Sequence, residues 1–394
     1  MIPYGRQEIT DQDIAEVKKV LRSDYITQGQ TVPKFEQAIA SYCGASYSVA
    51  VNSATSALHI SCLALGLGPG DVLWTSPNTF VASANCALYC GAEIDFVDID
   101  SKTYNMSVDA LSEKLILAEK QGKLPKIVIP VHFAGQPCDM PAIYKLSKKY
   151  DFKIIEDASH AIGSSYSDIK VGSCIHSNIT VFSFHPVKII TTAEGGMALT
   201  NNTEIADKLS RLRNHGITRD KKKIYKQNKN EIWNYQQIEL GYNYRMNDLQ
   251  AALGLSQLNR LDKYISTRHQ IAKLYNYEFK DLPIKVPWQL PKTYSSFHLY
   301  PICVEKNIGS KQIQTHIYNY MHKNNINVNI HYIPVHRHPY YEDLGFKKND
   351  YPEAEKFFQK EISLPIYPTL GIKNQKIVIE LLKKKLSKII FLNI

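Results

Sequence analysis

A single lysine, Lys188, lies in the segment FSFHPVKIITTAEGGMALT, and it is the only lysine or arginine between Lys170 and Lys208. The whole chain carries 47 lysine and arginine residues, so this isolation is unusual. Apolar surroundings favour the neutral amine of a lysine, because burial disfavours the charged form. A neutral amine can attack an aldehyde to form a Schiff base, so the pattern indicates Lys188 as a candidate catalytic residue.

Three further features could act together with this lysine. Asp157 follows a predicted strand, KIIE, and Phe80 follows another. Ser53 and Thr55 lie where a strand turns into a helix, and the free N–H groups and dipole of a helix start favour phosphate. An amine, a carboxylate for the ring nitrogen, an aromatic face and a phosphate cradle are what pyridoxal 5'-phosphate (PLP) requires.

Taken singly, each of these residues also has an ordinary structural interpretation. A lone lysine in an apolar segment can extend its amine to the surface. An aspartate after a strand often caps a helix, and the serine and threonine of SATS can do the same. The order and setting of the residues favour the functional interpretation, and spacing alone leaves both open.

The elements that must position these residues alternate along the first 215 residues. Thr10 and Asp13 form a predicted capping box at the first helix. Predicted strands and helices then follow one another, which is typical of a mostly parallel sheet covered on both faces. The strands are predicted at 48–52, 72–76, 94–98, 126–133, 153–158, 179–184 and 196–201, and the helices at 53–65, 81–90, 107–121 and 139–150.

A long helical pattern from Arg245 to about 279 leads out of this region. Beyond it, strands near 298–305 and 327–333 and helices near 310–324 and 374–388 predict a small α+β unit. In open α/β sheets, ligands bind at the carboxyl ends of the strands. We therefore predict a large α/β domain at 1–245, a connecting long helix at 246–284 and a small C-terminal α+β domain at 285–394.

Composition limits the class of protein. Among the 394 residues, 44% are hydrophobic and 21% charged, which predicts an ordinary globular protein. The N-terminal segment has no apolar signal-like region and no run has the length of a membrane span, so we expect a cytoplasmic protein without membrane contact. Seven cysteines without a C-x-x-C pair predict reduced, mostly buried thiols and no metal site.

The net charge of +10 favours an acidic small-molecule substrate. Basic residues cluster at 219–230, which reads as a surface loop, and at 383–390, which reads as the polar face of a final helix. Neither cluster carries a stacking or groove-reading motif, so we expect no nucleic-acid partner.

Five motifs carry a resemblance to a known family: NSATSALH, SPNTFVASAN, EDASHAIG, FSFHPVKIITTAEGGMALTN and GYNYRMNDLQAALGLSQL. With them the chain resembles, over essentially its whole length, the DegT/DnrJ/EryC1/StrS sugar-nucleotide aminotransferases. The resemblance implies a PLP-dependent aminotransferase of fold type I, which is the aspartate aminotransferase-like fold. Dehydratases on this fold carry histidine in place of the lysine, so Lys188 favours a transaminase. A non-catalytic binding or regulatory protein on the same fold is the alternative of another class.

The resemblance also implies residue roles. Lys188 would form the Schiff base and move the proton between the substrate carbon and C4' of the cofactor. Asp157 would pair with the pyridine nitrogen, and Asn243 would reach the cofactor phosphate of a neighbouring subunit, which implies a homodimer with shared active sites. The other implied cofactor contacts are Ala54, Thr55, Phe80, His160 and Ser183. The implied substrate contacts are Tyr4, Asp24, Tyr25, Ile26, Thr27, His331 and Tyr332.

Two motif positions depart from many relatives: Ala54 stands where glycine is common, and His160 stands where glutamine is common. Within the family, the chain looks most like members that use L-glutamate to aminate C4 of a UDP-linked 4-keto-6-deoxy-N-acetylhexosamine in pseudaminic acid biosynthesis. A bacillosamine-type substrate of D-xylo configuration is the runner-up, because the two sugars differ only in stereochemistry.

Overall fold

The computed structural model describes residues 1–224, 231–305 and 311–392. The helices of this part are α1 Asp11–Leu21, α2 Thr31–Cys43, α3 Ala54–Ala64, α4 Ala82–Tyr89, α5 Val108–Gln121, α6 Met140–Tyr150, α7 Thr203–Leu212, α8 Asp248–Leu258, α9 Leu261–Phe279, α10 Lys311–Lys323, α11 Pro339–Asp343, α12 Pro352–Phe358 and α13 Gly371–Leu392. The strands are β1 Tyr47–Val51, β2 Val72–Thr75, β3 Glu93–Phe96, β4 Ile127–Ile129, β5 Lys153–Asp157, β6 Ser165–Tyr166, β7 Ile169–Lys170, β8 Ile179–Ser183, β9 Gly196–Thr200, β10 Ile217–Thr218, β11 Gln236–Gln237, β12 Ile284–Lys285, β13 Thr293–Tyr294, β14 Tyr300–Val304 and β15 Glu361–Leu364.

A seven-stranded sheet in the order β1-β9-β8-β5-β4-β2-β3 forms the centre of the fold. Strands β3, β2, β4, β5 and β8 pair in parallel, whereas β9 pairs antiparallel with both β8 and β1. Only β9 therefore runs against the others. This mostly parallel sheet confirms the predicted α/β class.

Side chains alternate between two cores along the central strands, because successive residues of a strand point to opposite faces. Ile127 and Ile129 pack in the core beneath α3 and α4, whereas Val128 between them packs in the core beneath α5 and α6. Toward the other end of the sheet, Phe182 packs in a third core with α2 and α8. Helices therefore cover both faces, as the apolar strands predicted.

The last third of the chain builds a three-stranded antiparallel sheet in the order β12-β14-β15. Its core includes Tyr300 and Ile302 of β14, apolar residues of α10 and α13, and the second half of α9. The predicted domain boundaries at 245 and 284 stay a prediction. All seven cysteines are free and buried, as expected.

Three predicted elements differ in the structure. The long helix predicted from Arg245 is two helices, α8 and α9, which meet at Asn259 and Arg260. Arg260 leaves the helical geometry there, and its guanidinium donates to both carboxylate oxygens of Asp13 at 2.6 and 2.7 Å. Asp13 is buried at the start of α1 and forms the predicted capping box with Thr10.

The segment predicted as a strand at 327–333 forms only an isolated bridge between Asn329 and Ser363. The side chain of Asn329 accepts the N–H of Ile330 at 2.9 Å, which removes a donor that a longer ladder would need. Strand β4 is also shorter than predicted, since it ends directly before Pro130, which has no N–H to donate.

The predicted basic loop lies only partly in the described ranges, since residues 225–230 fall outside them. Residue 310 of the predicted helix 310–324 also falls outside, and α10 covers the rest up to Lys323. Within the described ranges, no helix combines the length and apolar character that crossing a membrane requires. Among the same residues, no group of three or more His, Cys, Asp or Glu side chains is arranged to hold a metal ion.

Candidate active site

Lys188 lies in the loop between β8 and β9, at the carboxyl end of the parallel strands. Its N–H donates to the carbonyl of His185 at 2.9 Å, which fixes the turn after the strand. Burial lowers the pKa of Lys188 to about 8, although the neighbouring charge of Asp157 acts in the opposite direction. The loop therefore places an amine with a depressed pKa beside a carboxylate.

Asp157 is the last residue of β5, and only 5% of its surface is exposed. Its Oδ2 accepts the hydroxyl of Ser83 at 2.6 Å, and its Oδ1 accepts the N–H of Ser159 at 3.0 Å. Each carboxylate oxygen keeps a further lone pair for another donor. The carboxylate is thus held in one orientation and can accept an additional N–H from the cavity.

The start of α3 provides main-chain donors in the same place. Ser53 caps the helix by accepting the N–H of Ser56 at 3.1 Å. Among the described residues, the N–H groups of Ala54 and Thr55 have no acceptor. A Cβ at Gly196 would lie 2.5 Å from the nitrogen of Ala54, so glycine is required for β9 to approach the helix start this closely. Two free N–H groups at a helix start are suited to bind an anion.

These features border one cavity of about 530 Å³. It brings together most of the predicted site residues, namely Tyr4, Ala54, Thr55, Phe80, Asp157, His160, Ser183, Lys188, His331 and Tyr332. Phe80 is 60% exposed, and the centre of its ring lies 6.4 Å from that of Tyr332.

His160 is buried and neutral. Burial lowers its pKa well below the usual value, and the charge of Lys188 acts in the same direction. Its Nδ1 accepts the N–H of Ala134 at 3.3 Å, so the ring hydrogen is on Nε2, which lies 3.1 Å from the hydroxyl of Tyr332. His160 therefore donates a hydrogen bond to the hydroxyl oxygen of Tyr332. The hydroxyl hydrogen of Tyr332 takes no part in this bond.

His331 forms the opposite wall of the cavity with Asn329 and Tyr4. Its Nδ1 lies 2.9 Å from the hydroxyl of Ser363, its Nε2 lies 3.3 Å from the amide of Asn329, and its ring is 5.3 Å from that of Tyr4. Burial lowers the pKa of His331 to about 3, and Lys188 contributes to the shift. This wall is polar, but its histidine is uncharged.

Five predicted residues do not border this cavity. The run Asp24, Tyr25, Ile26 and Thr27 follows α1 and is exposed, and the carbonyl of Ile26 accepts the N–H of Asp248 at 3.0 Å. Asn243 is also exposed, and its main chain forms a bridge with Asn214. Their proposed roles, of which that of Asn243 involves a second subunit, stay predictions.

Several polar residues of the site were not singled out from the sequence. His185, Glu194, Ser159 and Asn329 border the cavity. Ser83 and Ser363 do not border it, but they bond to Asp157 and His331. All of them except Ser363 stand close in sequence to a predicted site residue, namely Lys188, Asp157, Phe80 or His331, which is the signal that the sequence carries for them. Ser363 comes from a remote segment.

The chain resembles known proteins over nearly its full length. Residues 7–383 match the DegT/DnrJ/EryC1/StrS aminotransferase family. The chain is 40% identical to "Uncharacterized protein MJ1066" of Methanocaldococcus jannaschii, covering 98% of each protein. It is 36% identical to the UDP-4-amino-4,6-dideoxy-N-acetyl-beta-L-altrosamine transaminase of Campylobacter jejuni subsp. jejuni serotype O:2, over 99% of this chain and 98% of that protein.

The fold also resembles that of a solved protein structure. Helicobacter pylori PseC, an aminotransferase involved in the biosynthesis of pseudoaminic acid, superposes with a TM-score of 0.89 at 32% identity, covering 98% of this chain and 99% of that one. The site fits PLP on its own geometry as well, since amine, carboxylate and anion cradle border one cavity. The chain belongs to the DegT/DnrJ/EryC1/StrS aminotransferase family and is a PLP-dependent sugar aminotransferase.

Proposed function

We propose that the enzyme transfers the amino group of L-glutamate to C4 of UDP-2-acetamido-2,6-dideoxy-β-L-arabino-hex-4-ulose, giving UDP-4-amino-4,6-dideoxy-N-acetyl-β-L-altrosamine for pseudaminic acid biosynthesis. The identity of 36% to a transaminase of that name supports the choice of substrate. The observation that carries the amination chemistry is the position of Lys188 beside Asp157 in one cavity.

Lys188 supplies the reactive amine. With a pKa of about 8, on the order of a tenth of the lysine is neutral at pH 7, far more than for a lysine with its usual pKa. The neutral Nζ would hold the cofactor through its carbonyl carbon, with loss of water. Once released from it, Nζ would take the proton from the carbon that bears the donor nitrogen and deliver it to C4' of the cofactor. One side chain thus serves as nucleophile and as base.

Asp157 is proposed to hold the proton of the cofactor ring nitrogen. When bound, PLP supplies an aldehyde and a protonated ring that accepts the electron pair of the broken C–H bond. Asp157 favours that protonated ring by its negative charge, and Ser83 and Ser159 keep the carboxylate in place. His160 would lie beside the ring as a neutral hydrogen-bond donor to Tyr332.

The cofactor phosphate is proposed to bind at the start of α3. The free N–H groups of Ala54 and Thr55 would donate to its oxygens together with the hydroxyl of Ser183, and Phe80 would stack on the ring. Asn243 would contact the phosphate held by a second subunit, which is why we propose a homodimer with shared sites. A cytoplasmic location also stays a proposal.

The acceptor sugar is proposed to bind against the wall formed by Tyr4, His331 and Tyr332. Asp24, Tyr25, Ile26 and Thr27 would contribute from outside the cavity. A UDP-linked substrate suits a chain of net charge +10, because opposite charge favours encounter. Polar groups around C4 and C5 would discriminate stereochemistry, since a polar pocket rejects a mismatched group by leaving its own donors unpaired.

The substrate is tested by competition between the L-arabino and D-xylo 4-keto sugars, both UDP-linked and at equal concentration, with L-glutamate as donor. We expect the 4-amino product of the L-arabino sugar to form at least tenfold faster. Preference for the D-xylo sugar would assign a bacillosamine-type substrate instead, and amination of a dTDP-linked 4-keto sugar would overturn the UDP assignment. A parallel assay with Lys188→Ala shows the background rate.

A further inference from the structure

A buried carboxylate lies behind the wall of the cavity that carries His331. Glu361 opens β15, and its side chain is fully buried. Its Oε2 accepts the N–H of His331 at 2.8 Å, and its Oε1 accepts the hydroxyl of Ser363 at 2.5 Å. Among the described residues, no cationic side chain pairs with it. Burying an ionised carboxylate without a counter-charge is energetically unfavourable.

The hydrogens of this cluster can be ordered from its bonds. An ionised Glu361 can only accept, so the hydroxyl hydrogen of Ser363 points at Oε1. The Ser363 oxygen must then accept from His331, which places the ring hydrogen on Nδ1. His331 Nε2 is left as an acceptor, and the amide of Asn329 lies 3.3 Å away as its donor.

The charged and titratable groups around Glu361 do not provide a counter-charge. The thiol of Cys303 lies opposite on β14, and the hydroxyls of Tyr104 and Tyr332 face the same carboxylate. Burial raises the pKa of all three, so they are neutral near pH 7. The positive charges of Lys285 and Lys360 partly oppose the rise in the pKa of the Cys303 thiol. In the described parts of the chain, neither lysine forms an ion pair with Glu361. Burial accordingly raises the pKa of Glu361 to about 8.

We propose that Glu361 and Ser363 form a buried proton relay that decides which ring nitrogen of His331 carries hydrogen, and thereby whether His331 offers the cavity an acceptor or a donor. When the relay shifts, Nε2 gains a proton from solvent water that reaches the cavity. Nδ1 passes its proton to Ser363 Oγ, and Oγ passes its own to Glu361 Oε1. One proton has then moved from the cavity to the carboxylate, and His331 remains neutral throughout.

Asn329 couples the relay to a bound ligand. Its Oδ1 accepts the N–H of Ile330, so the amide presents its NH₂ group to His331. Once Nε2 carries hydrogen, it faces another donor, so a ligand that supplies an acceptor stabilises this tautomer further. Glu361 is thus a positioning residue, which acts on the ligand through Ser363 and His331.

The two proposed substrates need opposite hydrogen-bond partners, and this part of the inference rests on the proposed function. An acceptor at His331 Nε2 suits the ammonium group of L-glutamate, whereas a donor there suits the 4-keto oxygen of the sugar. The relay lets one histidine serve both substrates without burying an imidazolium, whose formation the pKa of about 3 disfavours. A site that alternates between an amine and a ketone gains from such a switch.

The substitution Glu361→Gln tests the relay. A glutamine keeps an oxygen for the N–H of His331 and turns its NH₂ to Ser363, whose hydroxyl must then donate to Nδ1. We expect the variant to hold the hydrogen on Nε2 at every pH. The measurement is ¹⁵N NMR of histidine-labelled holoenzyme without substrate, with the His331 signals assigned by their loss in His331→Asn. In the unsubstituted enzyme, Nδ1 should carry hydrogen at pH 9.5 and Nε2 a rising share toward pH 6.5.

Glu355→Gln is the matched control, because Glu355 is also buried and bonds to a histidine, His336, outside the cavity. It should leave His331 unchanged. The same tautomer in the unsubstituted enzyme and in Glu361→Gln at pH 9.5 would overturn the relay. If the variant fails to fold, the pH titration of the unsubstituted enzyme decides, and a His331 tautomer that stays constant from pH 6.5 to 9.5 overturns it.

Kinetics give a second measurement. At pH 9.5, where the carboxylate of the unsubstituted enzyme is ionised, we expect Glu361→Gln to slow the half-reaction with L-glutamate about tenfold and to change the half-reaction with the keto sugar less than threefold. Equal slowing of both would indicate a merely structural role and count against the relay. The NMR result does not depend on which sugar is the substrate, so a wrong substrate assignment and a wrong relay give different failures.

Discussion

The two walls of the cavity are built in different ways. The wall with Lys188 and Asp157 is built from the end of β5, the turn that follows β8 and the start of α3, so regular elements anchor its geometry. The wall with His331 and Tyr332 belongs to an irregular segment, which is held by side-chain hydrogen bonds to remote residues.

This difference in construction indicates that one wall serves the chemistry and the other serves substrate recognition. Chemistry common to all substrates needs a rigid frame, and strand ends in a packed sheet provide one. Substrate recognition varies among enzymes of one fold, and loop-like segments can change without unfolding the sheet. We therefore expect substitutions in the sheet wall to abolish turnover and substitutions in the irregular wall to change substrate affinity.

The largest effect is expected for Lys188→Ala. Removing both the nucleophile and the base should lower turnover by about 10⁴-fold or more. The fold and non-covalent cofactor binding should persist, which circular dichroism and cofactor retention on gel filtration can check. Lys149→Ala, at an exposed lysine, is the control. A variant at Lys188 with near-normal turnover would remove the basis of the comparison.

Asp157→Asn should have the next largest effect. The change keeps the shape of the side chain, so Ser83 and Ser159 can still contact it, but it removes the charge that favours a protonated ring. We expect at least about a hundredfold loss of kcat with the cofactor still bound. Asp151→Asn at the exposed end of α6 should be silent, and near-normal turnover of Asp157→Asn would exclude the proposed role.

The sheet wall also predicts a pH dependence. Because the pKa of Lys188 is lowered to about 8, its neutral fraction rises about fiftyfold from pH 6 to pH 8 and little above pH 9. The rate at which the cofactor-free protein captures PLP covalently should follow this curve in stopped-flow absorbance. A rate that keeps rising tenfold per pH unit up to pH 10 would show that Lys188 has the usual pKa of a lysine.

The smallest effect is expected in the irregular wall. Tyr332→Phe removes the hydroxyl that accepts from His160, which leaves a buried donor unpaired at a cost of about 1–3 kcal/mol. We expect KM for the sugar to rise about tenfold while the absorbance of the bound cofactor stays the same. Tyr340→Phe, at an exposed tyrosine, is the control. A loss of kcat as large as that of Asp157→Asn would place Tyr332 with the sheet wall.

The contrast also explains what could be predicted from the sequence. Lys188 and Asp157 follow apolar strands, so the pattern that predicts the strands also predicts where the two residues meet. Ser83 was missed because a serine inside a helix has no local mark of its bond to a residue 74 positions away. Glu361 was missed for the same reason, since its partner His331 is 30 positions away.

The fold, too, was predictable only where local sequence patterns determine it. The alternation of apolar strands and helices predicted the central sheet, because local periodicity reports which face is buried. The break between α8 and α9 depends on the pairing of Arg260 with Asp13, which lies 247 positions away, and no local pattern encodes it. Long-range side-chain bonds are therefore what the sequence leaves undetermined.

The most direct test of the account is borohydride reduction of the holoenzyme followed by peptide mass mapping. Reduction converts a covalent link between the cofactor and a lysine into a stable pyridoxyl-lysine. The account predicts one modified peptide, which contains Lys188, and no modified peptide when L-glutamate is added first to release the lysine. A pyridoxyl group on any other lysine, or none on Lys188, would contradict it.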